Sequence, residues 1–156
     1  MKNKLVVSIL IALALAVSAC GAVATSTPTA AVPITGGSTG AANVMAGQDT
    51  SMGAPFLVDS QGKTLYLYLN DQPGTSNCYD TCAQNWPPLL TTGSPVAGTG
   101  ANASMLGTTT RTDGSVQVTY NGHPLYYYAG DSAAGDVNGE GKLSLWYVIT
   151  PDGMQE

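Results

Sequence analysis

Four groups of residues have types and spacings that could do chemistry. Asp136, Asn138 and Glu140 put oxygen-bearing side chains at alternate positions in a glycine-rich run. Hard divalent cations such as calcium take such donors. The run lacks a complete calcium loop and its closing glutamate, so it reads first as a turn in which these side chains cap backbone amides, with a cation site as the alternative. Cys78 and Cys82 stand four apart, the spacing of one helical turn, with a Cα separation that a disulfide can bridge. In an oxidising compartment two such thiols pair. The Cys-x-x-x-Cys spacing is not that of a redox-active Cys-x-x-Cys, and no second cysteine pair or nearby histidine completes a zinc site. His123, the sole histidine, sits in the turn Asn121-Gly122-His123-Pro124. A copper site would need more partners than His123 with Met105 and Met154. The fourth group is a pair of tyrosine motifs, Tyr66, Tyr68 and Asp71 and then Tyr126, Tyr128 and Asp131. They form either a packed seam whose carboxylates accept hydrogen bonds from tyrosine hydroxyls or turn amides, or an aromatic and acidic face that binds a glycan, peptide or small ligand.

No nucleophile elbow, zinc-protease helix, phosphate loop or dinucleotide fingerprint occurs. No catalytic residue is assigned, and the chain is expected not to be an enzyme. An undetected hydrolase using a carboxylate pair stays open as a distant alternative.

The elements that must position these residues are strands. Glycine is abundant (19 of 156 residues) and charged residues make up only 10%, a composition unlike that of a helical bundle. Every aromatic residue lies between Phe56 and Tyr147. An internal repeat organises this stretch. Gly62-Lys63-Thr64-Leu65-Tyr66-Leu67-Tyr68-Leu69-Asn70-Asp71 aligns with Gly122-His123-Pro124-Leu125-Tyr126-Tyr127-Tyr128-Ala129-Gly130-Asp131 at an offset of 60, with five of ten positions identical, and Trp86 and Trp146 keep the same offset. Each copy needs the other to bury its apolar face, which predicts a pseudo-two-fold domain. Hairpins are expected around 59–62, Asp113-Gly114 and Asn121-Gly122, with a late strand at 145–150 closed by 151–153. Residues 91–104 read as an irregular link, and a short helix over 79–85 should carry the cysteines. Along Leu65 to Leu69, leucines and tyrosines alternate between faces. The expected fold is mostly β, a small antiparallel domain of two pseudo-repeats with a disulfide-bearing helical turn.

The N-terminus has a different character. Lys2 and Lys4 precede an apolar run, Leu5 to Val17, too short for an ordinary membrane span and flanked like a signal peptide. It ends Val17-Ser18-Ala19-Cys20, which resembles the lipobox of bacterial lipoproteins. That resemblance implies cleavage before Cys20 and a lipid on its sulfur. Acyl chains such as palmitate, two or more on one residue, anchor stably. The expected organisation is a signal peptide at 1–19, a lipidated cysteine and disordered Ala/Gly/Ser/Thr/Pro tether at 20–55, and a two-repeat β domain at 56–153, with copies at about 56–90 and 116–153. Cleavage leaves three basic residues, Lys63, Arg111 and Lys142, against ten acidic ones. Such a chain has no basic patch with which to bind nucleic acid.

The two Tyr-x-aromatic-x-x-Asp motifs occur with Cys78-Tyr79-Asp80-Thr81-Cys82-Ala83, Trp86-Pro87-Pro88-Leu89 and the lipobox, in that setting and order. The set resembles a family of bacterial secreted lipoproteins described as a secreted repeat of unknown function. The resemblance implies an extracytoplasmic protein, lipid-anchored to the cell membrane, or to an outer membrane where there are two. It brings no ligand and no catalytic residue. The expectation is a non-catalytic binding or envelope-interaction module whose partners are the membrane, through its anchor, and an envelope protein or glycan. The first alternative is a metal-binding or redox-accessory lipoprotein.

Overall fold

The computed structural model describes residues 40–48 and 52–155. All of them belong to one of the two units into which contacts divide the chain, Ile34–Glu156. The signal peptide and Cys20 lie outside the described residues. Among those described, no helix is long and apolar enough to cross a membrane.

Each copy begins with a hairpin. In the first, β1 (Asn43–Gly47) pairs antiparallel with β2 (Phe56–Asp59), Val44 opposite Asp59. Strand β1 falls inside the stretch expected to be a tether, so the folded part starts well before residue 56. Ala42 and Val44 are buried, and the Ala42 amide donates to Thr91 Oγ1 at 3.1 Å. The second-copy counterpart joins β5 (Leu106–Thr110) to β6 (Val116–Tyr120). Copy two thus also starts earlier than residue 116. The connecting stretch is less irregular than expected, because β4 (Val96–Ala97) runs parallel to β1 and completes a sheet in the order β2-β1-β4.

The predicted turns form where their residues require them. Asn121 and Gly122 both have positive φ, 48° and 82°, as a two-residue hairpin turn demands, and they lead from β6 into β7 (His123–Pro124). Gly114, at φ 83°, turns β5 into β6. The short helix α1 (Thr81–Asn85) carries the second cysteine, starting two residues later than expected.

The two copies meet along a line through Tyr66 and Tyr126. Strand β3 (Tyr66–Tyr68) pairs antiparallel with β8 (Trp146–Val148). On its other side the Tyr66 amide donates to the Tyr126 carbonyl at 2.8 Å, and the Tyr126 amide returns the bond to the Tyr66 carbonyl at 3.0 Å. Two residues of an antiparallel pair that exchange both bonds sit directly opposite each other, which places the pseudo-two-fold axis between them. The outer pairings obey it. Leu69 N donates to Leu145 O at 2.9 Å, and Ala129 N donates to Asn85 O at 2.8 Å.

Alternation along β3 divides the core into two layers. Leu57, Leu65, Leu67, Val118, Leu125 and Ile149 fill one. Phe56, Tyr66, Trp86, Tyr126, Trp146 and Val148 fill the other. Leu69, expected on the leucine face, is exposed instead. It lies one residue past the end of β3, where the chain leaves the sheet.

Candidate functional site

The tyrosine motifs close on each other across the two copies. Tyr66 Oη donates to Asp131 Oδ2 at 2.7 Å, and Tyr126 Oη donates to Asp71 Oδ2 at 2.7 Å. Each motif therefore supplies the hydroxyl that the other motif's carboxylate accepts. The second oxygen of each carboxylate caps the loop that follows it: Asn77 N donates to Asp71 Oδ1 at 2.7 Å, and Asn138 N to Asp131 Oδ1 at 3.0 Å. Burial raises both carboxyls above the ordinary aspartate value, even though the hydroxyl and amide bonds pull the other way. Burial, with the carboxylate bond added to it, also holds the phenols of Tyr66 and Tyr126 far above an ordinary tyrosine.

Of the two readings open for the six motif residues, this geometry is that of the packed seam. Tyr66 and Tyr126 are fully buried. Tyr68 and Tyr128, with Asp71 and Asp131, are half-buried. The seam holds because buried hydroxyls need partners, and these two have them.

Inside the seam the two tryptophans stack on each other, with ring centroids 3.9 Å apart and planes 1° from parallel. Both are buried. Tyr68 stacks on Trp146 at 4.2 Å, and Tyr128 lies against Trp86 at 4.4 Å. Tyr66 meets Trp86 edge-on at 5.4 Å, and Tyr126 meets Trp146 edge-on at 5.3 Å. Six rings thus surround the axis in related pairs. Gly139 belongs to this packing, since a Cβ there would stand 2.8 Å from the Tyr66 ring.

The acidic loop of copy two behaves as a capped turn. Asp136 Oδ2 accepts from the amides of Ser132 and Ala133 at 2.8 and 2.9 Å. Glu140 Oε2 accepts from Val148 N at 2.6 Å, and the Asn138 side chain turns back toward the Gly130 carbonyl. The three side chains go to separate backbone partners and do not converge as cation ligands. Among the described residues no three His, Cys, Asp or Glu side chains gather.

Cys78 and Cys82 form the disulfide, with Cα atoms 5.2 Å apart. His123 is half-buried in its hairpin opposite Tyr120. Arg111 was missed by sequence reasoning, which saw in it one of three remaining cations. It is 4% exposed. Its guanidinium donates to Ser76 Oγ at 2.8 Å, Gln117 Oε1 at 2.7 Å and the Cys78 carbonyl at 2.7 Å, and it lies 4.4 Å over the Tyr79 ring. With the Tyr126 proton on Asp71, Ser76 Oγ donates its own to Tyr126 Oη, 2.8 Å away. The arginine therefore ties the disulfide turn of copy one to β6 of copy two and to the seam.

The described surface also holds a groove of about 380 Å³ over the β5–β6 hairpin, with Thr91, Thr92, Ser94, Pro95, Leu106 and Thr108 on its walls. None of the residues lining it carries a charge.

A family model described as a secreted repeat of unknown function matches the chain twice, at residues 49–90 and 107–150. The second match begins inside β5, in keeping with the hairpin that opens copy two. No curated protein and no solved structure matches the chain.

Proposed function

From the premise that the chain belongs to the family of secreted repeats of unknown function, and is extracytoplasmic, we propose that it is a lipid-anchored, non-catalytic module that holds an uncharged glycan of the envelope. The groove over β5–β6 is the observation that carries this reading. Its hydroxyls from Thr92, Ser94 and Thr108 match sugar hydroxyls as donors and acceptors. Its freedom from charge suits a neutral ligand, since leaving a buried charge unpaired would cost affinity. The motif carboxylates support a non-catalytic role, because each is already taken up by a tyrosine hydroxyl and a loop amide.

Co-sedimentation with purified insoluble cell-wall glycan tests the groove. The wild-type chain should pellet with the glycan. A Thr92→Lys, Ser94→Lys double variant should lose binding by about tenfold, with a melting temperature close to that of the wild type, since both side chains are exposed. A wild-type chain that stays in the supernatant sinks the glycan reading. A photocrosslinker at Thr108 that captures a discrete protein would replace it with a protein partner.

The anchor rests on Val17-Ser18-Ala19-Cys20. Cells fed labelled palmitate should label the wild-type chain, and Cys20→Ser should abolish the label and release the chain from membranes. Label retained in Cys20→Ser would contradict lipidation at that residue.

A further inference from the structure

We propose that the stacked indole pair Trp86–Trp146, flanked by Tyr66–Asp131 and Tyr126–Asp71, is a one-electron redox site in which a tyrosine refills an oxidised indole while its proton passes to the facing aspartate. This goes beyond glycan binding and uses a different part of the molecule.

Three observations carry it. The two indoles are parallel and in contact, with centroids 3.9 Å apart, so a hole on either is shared by both π systems. Each indole has a buried phenol edge-on to it, Tyr66 to Trp86 at 5.4 Å and Tyr126 to Trp146 at 5.3 Å. Each of those phenols donates a 2.7 Å hydrogen bond to a carboxylate oxygen. A phenol gives up an electron readily only when its proton has somewhere to go, because the cation radical of a phenol is a strong acid. A core tyrosine could satisfy its hydroxyl with any carbonyl. Here both are given a base. Burial raises both aspartates above their ordinary value, so they hold a proton more readily than a surface carboxylate would. The site has ends near solvent as well. Half-buried Tyr68 stacks on Trp146, and half-buried Tyr128 lies on Trp86, so a continuous run of four rings passes through the pair.

A diffusible inorganic radical takes one electron from the indole pair and leaves as its anion. Tyr66 supplies one electron to the indole. Its Oη–H bond breaks, and the proton moves to Asp131 Oδ2. The products are a neutral indole pair, a phenoxyl radical and a carboxylic acid. Tyr126 and Asp71 do the same on the other side. A small one-electron donor, a thiol or an enediol, then returns an electron to the phenoxyl and loses its own proton to water. The aspartate hands its proton back to the phenoxide oxygen. Over the cycle one electron has gone from donor to oxidant, and the protein is unchanged. Because each tyrosine and its aspartate come from different copies, the site needs both repeats.

The chain has two tryptophans, and both are in the pair, so any indolyl radical reports on this site. Laser photoionisation of the purified full chain makes that radical directly. In the wild type the indolyl absorption should decay as a phenoxyl absorption rises, and the transfer should be slower in heavy water than in ordinary water. In Tyr66→Phe, Tyr126→Phe the phase should slow by about tenfold. In Asp71→Asn, Asp131→Asn, which keeps the shape and removes the base, it should slow similarly and lose its isotope dependence. Tyr79→Phe, Tyr147→Phe should leave it unchanged. Near-ultraviolet circular dichroism verifies that the seam is intact in each variant. An indolyl decay unaltered by the Phe or the Asn variants overturns the proposal. Should those variants not fold, a wild-type radical that yields no phenoxyl, or yields it with no isotope effect, overturns it alone.

Discussion

Raising the pH above 10 should unfold this domain steeply. Tyr66, Tyr126 and Tyr127 each donate a hydroxyl to a carboxylate: Asp131, Asp71 and Asp59, the last at 2.9 Å. Burial, reinforced by those carboxylates, holds all three phenols far above the ordinary value. In the unfolded chain they ionise near pH 10. A folded value raised above the unfolded one contributes stability that is fully present below the unfolded value and lost as pH climbs toward the folded one. Each tyrosine costs about 1.4 kcal/mol per pH unit in that window, so the three together cost about 4 kcal/mol per unit. A domain with roughly 5–15 kcal/mol of stability would lose all of it within about one to four units. Guanidinium unfolding at a series of pH values, followed alongside tyrosinate absorbance, measures this. The tyrosinate signal of these phenols should appear only with unfolding, and Tyr127→Phe should reduce the slope by about a third. Smooth ionisation of every tyrosine near pH 10 in a folded chain would refute it. The acid side runs the other way to habit. Asp71 and Asp131 are raised by burial, so their contribution is present below the ordinary aspartate value and lost as pH rises through the raised one. Acidification from neutral pH toward about 4 relieves them and does not start the collapse.

How far this fold was legible follows from which interactions are local. The turn at Asn121-Gly122 was readable because positive φ at two successive positions selects those residues. The disulfide was readable because four residues set its span. The repeat at offset 60 foretold an axis, and the bonds exchanged by Tyr66 and Tyr126 define it. Strand β1 was not legible. Asn43-Val44-Met45-Ala46-Gly47 carries no strong period, and it is held by β2, β4 and Thr91, all of which lie later in the chain. The seam and its hydroxyl-to-carboxylate bonds were legible as one of two readings, while the pairing across copies was not. The sequence does not say which tyrosine Asp71 serves, and it serves Tyr126 of the other copy. A swap between copies leaves no trace in the spacing of either one. The acidic loop was legible as a capped turn, because side-chain oxygens beside glycines cap local amides more readily than they complete a cation shell.

Arg111 had the weakest signal in the sequence and should have one of the largest effects on stability. It is nearly fully buried, and charged groups persist in interiors only where they are well paired. Among the described residues the one carboxylate in salt-bridge range is that of exposed Asp113, 3.9 Å from Nε, and Nε has no hydrogen-bond partner there. The guanidinium is therefore held mainly by neutral acceptors: Gln117, Ser76 and the Cys78 carbonyl. Replacement by methionine keeps the bulk and strips those acceptors. Each buried group left unpaired costs about 1–3 kcal/mol, so Arg111→Met should lose about 3–5 kcal/mol, or roughly 15–30 °C of melting temperature in a domain of this size. Gln117 still donates to the Leu125 carbonyl at 2.7 Å, so the loss falls on its oxygen and on the disulfide turn. Arg111→Lys should recover part of the loss, because one ammonium cannot span acceptors that a planar fork reaches together. Asp113→Asn should change stability by less than about 1 kcal/mol, as befits an exposed partner. If Arg111→Met and Asp113→Asn instead melt alike, the arginine is a surface charge in energetic terms, and the link from the disulfide turn through Ser76 to Tyr126 contributes nothing. If the ordering is as expected, one guanidinium fastens the two copies where the disulfide meets the seam, and the placement of Tyr126 against Asp71 depends on it.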